Sequence, residues 1–151
     1  MLLTPLIAAV TFWSPAPAGW TADYKHALTL ATELRLPVMI NFTGSDWCVY
    51  CKRLKAEVFS QKEFVEWAER NVVLLEVDYP RSFDLPKQVA TQNDWLQGLY
   101  GEAVQGFPTV LMTDPKGRPF AKLGYQPGGP AVWLQNANSA LLSYAEATAK
   151  K

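Results

Sequence analysis

Cys48 and Cys51 stand three positions apart and are the only cysteines in the 151 residues. Two thiols at that spacing can reach each other. The pair can therefore form a reversible disulfide, supply half of a metal site, or simply be buried. A structural zinc would need about four Cys or His ligands, and the rest of the chain supplies only His26, far away in sequence. The flanks separate these readings. Pro37-Val38-Met39-Ile40-Asn41-Phe42 is a short apolar run rich in strand formers, and Thr43-Gly44-Ser45-Asp46 interrupts it with turn chemistry. From Trp47 onward Cys51, Leu54 and Val58 are spaced as one face of a helix. A cysteine pair that opens a helix just after a buried strand is the context that favours redox chemistry. Cys48 would lie at the positive end of that helix, where unpaired backbone N–H groups lower a thiol's pKa below ~8.5. Cys51, one turn further in, is expected to be the more buried and the less acidic. The cycle would be attack by Cys48 on a disulfide, a mixed disulfide, and resolution by Cys51. The second reading is a module that carries a soft ion such as Cu(I) on the same two sulfurs.

The remaining elements must hold this pair in place. Tyr24, Ala27, Leu28, Ala31 and Leu34 recur at helical spacing between Thr21 and Arg35, with Thr21 or Asp23 available as a cap. Glu63 to Asn71 reads as a helix with Phe64, Val65, Trp67 and Ala68 on its apolar side, and Val72 to Val77 as a core strand. Prolines bound the loop Tyr79 to Pro86, and Lys87 to Tyr100 forms a crossover helix carrying Val89, Trp95, Leu96 and Leu99. Pro108 to Thr113 and Pro119 to Leu123 pair as a hairpin across the turn Asp114-Pro115-Lys116-Gly117. Pro130 opens a last helix whose apolar side is Val132, Leu134, Ala137, Leu141 and Tyr144. The order gives an α/β fold, a mixed central sheet of about four to five strands with helices on both faces.

At this length one domain buries enough surface to fold without staples. With 49% hydrophobic and 19% charged residues and a formal net charge of zero, the chain has neither the basic footprint of a nucleic-acid binder nor a polybasic membrane patch. Residues 1–18 differ from the rest: Leu2 to Trp13 is mostly apolar, and Ala16-Pro17-Ala18 is a small-x-small pattern of the kind signal peptidase cuts after. The expectation is a signal peptide cleaved before Gly19, a domain over residues 19–151, and a periplasmic or otherwise exported protein. The n-region lacks Lys and Arg and Pro5 breaks the apolar run, so an uncleaved arm packed on a cytoplasmic domain is the alternative. The stretch is short for a membrane span, and the mature form is expected to have none.

Trp47-Cys48-Val49-Tyr50-Cys51-Lys52 after Ile40-Asn41-Phe42, with Gly106-Phe107-Pro108-Thr109 about sixty residues on, resembles the thioredoxin superfamily from roughly Tyr24 to Tyr144. Phe42-Thr43-Gly44-Ser45-Asp46-Trp47-Cys48 is most similar to bacterial, often exported, thioredoxin-like proteins whose loop before the motif is one residue longer. The resemblance implies a thiol–disulfide oxidoreductase, more readily a reductase, with Cys48 and Cys51 catalytic and no cofactor or metal. Pro108 would be a cis-proline facing them, with Phe107 offering its backbone to an extended substrate and Trp47 forming a lip. Val49 and Tyr50 would tune the potential, being neither the Gly-Pro of thioredoxin nor the Pro-His of its strongly oxidising periplasmic relative. Partners would be protein disulfides or thiols and an upstream redox donor, and a monomer is expected. Asn41 stands where thioredoxin has a buried Asp that helps move the resolving thiol's proton, and Leu74 where it has that acid's Lys partner. Either water or another acid, Asp46 or Glu76, assists, or deprotonation of Cys51 depends more on solution pH. Lys52, Arg53 and Lys55 read as a solvated helix face, His26 as a surface residue, and Trp20, Trp67, Trp95 and Trp133 as core.

Overall fold

A computed structural model describes residues 19–151; the expected leader, residues 1–18, lies outside them. The sheet grows outward from β2 (Val38–Thr43), in which all six residues are buried. A strand covered on both faces must be central. It pairs in parallel with β3 (Val73–Asp78) and antiparallel with β4 (Thr109–Thr113). β5 (Pro119–Leu123) closes one edge antiparallel to β4, with Pro119 and Lys122 suited to an unpaired border. The other edge is β1 (Trp20–Thr21), parallel to β3, giving the order β1-β3-β2-β4-β5. β1 is the element that periodicity did not show, because two residues carry no pattern. Thr21 therefore belongs to a strand, and Asp23 caps the helix that follows, its carboxylate accepting the His26 N–H.

Alternation along β2 and β3 sorts the core into two halves. Ile40, Phe42, Leu75 and Val77 face α1 (Tyr24–Leu34) and α4 (Lys87–Leu99), against Ala27, Ala31 and Leu96. Met39 and Leu74 face α2 (Val49–Leu54), α3 (Lys62–Asn71) and α5 (Gly129–Ala149). α2 runs on as a π-helical turn, Lys55–Phe59, closed by the Ser60 N–H on the Lys55 carbonyl at 2.8 Å. Helices thus lie on both faces, as expected, and none of those described is long and apolar enough to cross a membrane.

Five apolar assignments differ from expectation, Leu34 and Val132 being exposed along with Trp95, Val65 and Leu99. Trp95 is 55% exposed and meets the Tyr24 ring edge to face at 5.6 Å, since Leu96 and Asn93 are the α4 residues turned inward. Val65 and Leu99 are also exposed, each lying just beside the buried stripe of its helix. On α5 the centre of the contact is Trp133, which meets Phe59, Phe64 and Trp67 at ring-centroid distances of 5.4, 5.7 and 6.4 Å. Its indole N–H donates to the Gly124 carbonyl at 3.1 Å, tying α5 to the segment after β5. Trp133→Ala is expected to cost about 3 to 5 kcal/mol, read as a lower urea midpoint, because it empties this aromatic cluster. Trp95→Ala should move that midpoint by about 0.5 kcal/mol or less.

Candidate active site

Three strand ends meet at one edge of the sheet, and each contributes a segment. β2 ends at Thr43 and passes through the turn Gly44-Ser45-Asp46-Trp47, where the Cys48 N–H donates to the Gly44 carbonyl at 2.9 Å. β3 ends at Asp78 and leads into Tyr79 to Ser82, and β4 begins after Phe107-Pro108, whose peptide bond is cis.

The first two segments are clamped together. Ser45 donates through its backbone N–H and its hydroxyl to the Asp78 carboxylate, at 2.9 and 2.5 Å. The Trp47 indole N–H donates to the Tyr79 carbonyl at 2.7 Å, and the Arg81 guanidinium lies 3.7 Å above the Trp47 ring. Asp46 accepts from the backbone N–H groups of Arg81 and Ser82 and from the Ser82 hydroxyl. The Ser82 hydroxyl bond, followed by those backbone donors, holds the Asp46 carboxyl below the ordinary carboxylate range. Asp46 is committed to this loop and is not among the residues that line the space beneath Cys51. None of these partners was visible in the sequence. They lie 32 to 36 residues from the turn residues they hold, and only the parallel pairing of β2 with β3 brings them together.

Cys48 is the N-cap of α2 and Cys51 lies in its first turn; the two are joined as a disulfide with Cα atoms 5.2 Å apart. The Cys51 N–H donates to Cys48 Sγ at 3.2 Å, which places that sulfur among the unpaired amides of the helix start. The two cysteines are equally buried, 6% and 5% exposed, against the expected difference. The closed bridge folds Cys48 Sγ back over the first turn. Val49 and Tyr50 are 66% and 54% exposed beside the bridge.

The third segment meets the first through rings. Phe107 lies 5.9 Å from Trp47 and stacks on Tyr79 at 5.2 Å, so the residues adjoining Cys48 and Pro108 share one aromatic platform. Pro108, Thr109, Gly124, Tyr125 and Trp133 line a groove of about 480 Å³. Tyr50 reaches its rim, with its ring 5.2 Å from that of Tyr125. Tyr125 in turn donates to Glu57, which pairs with Arg53 at 2.9 Å. The Tyr125 hydroxyl and then Arg53 hold Glu57 below its usual range. Arg53 is thus a brace under Tyr125, with Lys52 and Lys55 left on the exposed helix face as expected. His26 is on the surface. Leu74 sits in the core opposite Met39. Among the described residues no group of three or more His, Cys, Asp or Glu could hold a metal ion.

Gly44 is tightly packed: a Cβ built there would lie 2.6 Å from Trp47 Nε1. Gly44→Ala must displace the indole and its bond to Tyr79, and is expected to cost about 1 to 3 kcal/mol of stability in urea titration. Gly106→Ala, where an added methyl meets nothing, should leave the midpoint unchanged.

Comparison with known proteins agrees with this geometry. Residues 24–136 match the family model described as a thioredoxin-like domain. Over 137 residues the chain is 31% identical to the disulfide bond reductase DsbH of Chlamydia pneumoniae, spanning 91% of this chain and 76% of that protein. It is 27% identical over 105 residues to the thioredoxin-related protein DsbJ of the same organism, covering 70% of this chain and 30% of DsbJ. A solved structure of a DsbH oxidoreductase superposes with a TM-score of 0.76 at 29% identity, covering 89% of this chain and 94% of the other. The chain is a thiol–disulfide oxidoreductase and belongs to the thioredoxin-like family.

Proposed function

We propose that the protein is a reductase of protein disulfides outside the cytoplasm, with Cys48 as attacking thiolate and Cys51 as resolving thiol. The observation that carries the assignment is the hydrogen bond from the Cys51 N–H to Cys48 Sγ. A donor aimed at the sulfur from a helix start stabilises negative charge there, and the thiolate is the reactive form. In the reducing direction Cys48 attacks one sulfur of the substrate disulfide and the other leaves as a thiolate. Cys51 then attacks Cys48 Sγ, expelling the second substrate thiol and closing the Cys48–Cys51 bridge. Two electrons pass to the substrate, and an upstream dithiol donor restores the pair. The reducing direction is supported by the likeness to the Chlamydia pneumoniae protein, a disulfide bond reductase.

Substrate would lie along the groove at Pro108 as an extended peptide, with backbone contacts at Phe107 and with Trp47 as a lip. Val49 and Tyr50, exposed beside the bridge, would meet it and tune the potential of the pair. Residues 1–18 belong to the same reading, as a leader whose removal delivers the domain to the periplasm.

Cys48→Ser is expected to abolish dithiothreitol-driven reduction of insulin, and wild-type turnover in that variant would overturn the nucleophile assignment. Cys51→Ser should instead accumulate mixed disulfides, visible as adducts on non-reducing gels. Export predicts a mature N-terminus at Gly19 in mass spectra of protein from its native host, whereas an intact Met1 on cytoplasmic protein would refute it.

A further inference from the structure

Resolution requires the Cys51 thiol to lose a proton at a buried position, 5% exposed in the oxidised protein. A cavity of about 50 Å³ lies against Cys51, with room for at least one water. Asn41, Glu76 and Lys55 share its lining with the cysteine. The sheet puts them there: Asn41 on β2 and Glu76 on β3 are register partners, and both fall on the strand face that α2 covers, in line with Met39 and Leu74. Asn41 Oδ1 is buried and has no hydrogen-bond partner among the described residues. A buried amide oxygen left unpaired costs about 1 to 3 kcal/mol, so the Asn41 side chain, which lines this cavity, is a place for a water to bind. An amide cannot itself take a proton from a thiol, whereas a carboxylate can.

We propose that Glu76 accepts the Cys51 proton through a water held by the Asn41 side chain, in the cavity that Lys55 also lines. The inference rests on the reading of Cys51 as the resolving thiol. In the forward step the Cys51 S–H proton passes to the water as the water's proton passes to the Glu76 carboxylate. The Cys51 thiolate then forms the bond to Cys48 Sγ while the bond from Cys48 to substrate breaks. When a donor thiolate later reopens the bridge, Glu76 returns the proton to the departing Cys51 sulfur, so the relay is neutral over a cycle. Burial first, and the neighbouring Asp78 second, push the Glu76 carboxyl above its ordinary range, while Lys55 opposes them. The shift moves the acid toward the thiol it serves, as efficient proton transfer requires. The charged groups around it are Lys55 and Lys52 from the helical segment above and Asp78 from its own strand.

Stopped-flow mixing of the reduced protein with a fluorogenic peptide disulfide separates attack by Cys48 from release by Cys51. Glu76→Gln should slow release on the order of a hundredfold at neutral pH, leave attack unchanged, and remove the lower step from the pH profile of release. Lys55→Met should move that step to higher pH, since the carboxyl loses its cation. Asn41→Asp added to Glu76→Gln should restore release by placing a carboxylate on the same cavity. Folding has its own readout. A carboxyl raised in the folded state contributes stability below its unfolded pKa and loses it as pH rises through the folded pKa. Glu76→Gln should therefore raise the urea midpoint at neutral pH, with the gain vanishing in acid. A wild-type release profile in Glu76→Gln, or equal slowing of attack and release, would overturn the relay. If Cys51→Ser still traps substrate in that case, the relay alone fails; if it does not, the resolving role of Cys51 fails with it.

Discussion

The arrangement depends on the burial of β2. Because all six of its residues are covered, the strand must have a neighbour on each side and helices on both faces. Its parallel neighbour sends the end of β3 to the same edge as its own end, and its antiparallel neighbour brings the start of β4 back to that edge. The cysteine turn, the Tyr79 loop and Pro108 therefore converge without any one of them specifying the others. The same register opposes Asn41 to Glu76 on the face that α2 covers. A one-residue slip of β2 would turn Asn41 into the apolar half and Ile40 toward the cysteines.

Convergence alone leaves the longer turn before the motif free to move, and the clamp to the β3 loop prevents this. Ser45 on Asp78, Trp47 on Tyr79 and Asp46 on the Arg81-Ser82 amides fix three consecutive residues of that turn to a second chain segment. Most of these bonds involve a carboxylate, and such charge-assisted bonds are the stronger kind. The turn is thereby held from outside α2, which leaves the helix start to the sulfur. This matters for a pair that must open and close. Bond making at Cys48 changes the groups around the sulfur but need not change the anchors that position it.

Features whose information is local were legible in the sequence. The C-x-x-C spacing, the turn before it and the helix after it read correctly, as did the hairpin through Gly117, whose φ of +81° suits glycine. Features that are properties of the assembled sheet were not. Two residues of β1 carry no period, and the exposure of Trp95 follows from α4 turning its Asn93 and Leu96 stripe inward rather than from its composition. Arg35 ends α1 at a φ of +56° without the glycine that would have announced it. At the site itself Asp46 and Glu76 were equivalent as letters. Strand alternation separates them: Glu76 is on β3 facing the cysteine helix, while Asp46 lies beyond the end of β2, where its turn commits it to the opposite loop.

The rim of the site explains how a chain with no net charge can choose partners. Long-range steering is weak in such a molecule, so discrimination must come from contact. The surface beside the bridge is aromatic and aliphatic, with Val49 and Tyr50 exposed, Phe107 stacked on Tyr79 and Trp47 tilted against Phe107. Its ionic groups are largely engaged with one another, Arg53 with Glu57 and Asp46 with the loop amides, and Arg81 covers the Trp47 ring. A surface of this kind makes few demands on the partner's side chains. On the proposed function it would accept many extended segments through backbone contacts at Phe107 and Pro108, and the disulfide itself would supply most of the selectivity. Choice among substrates would then fall to the chemistry of the two sulfurs and to how fast Cys51 can be deprotonated, and the Asn41 and Glu76 cavity lies beside that thiol.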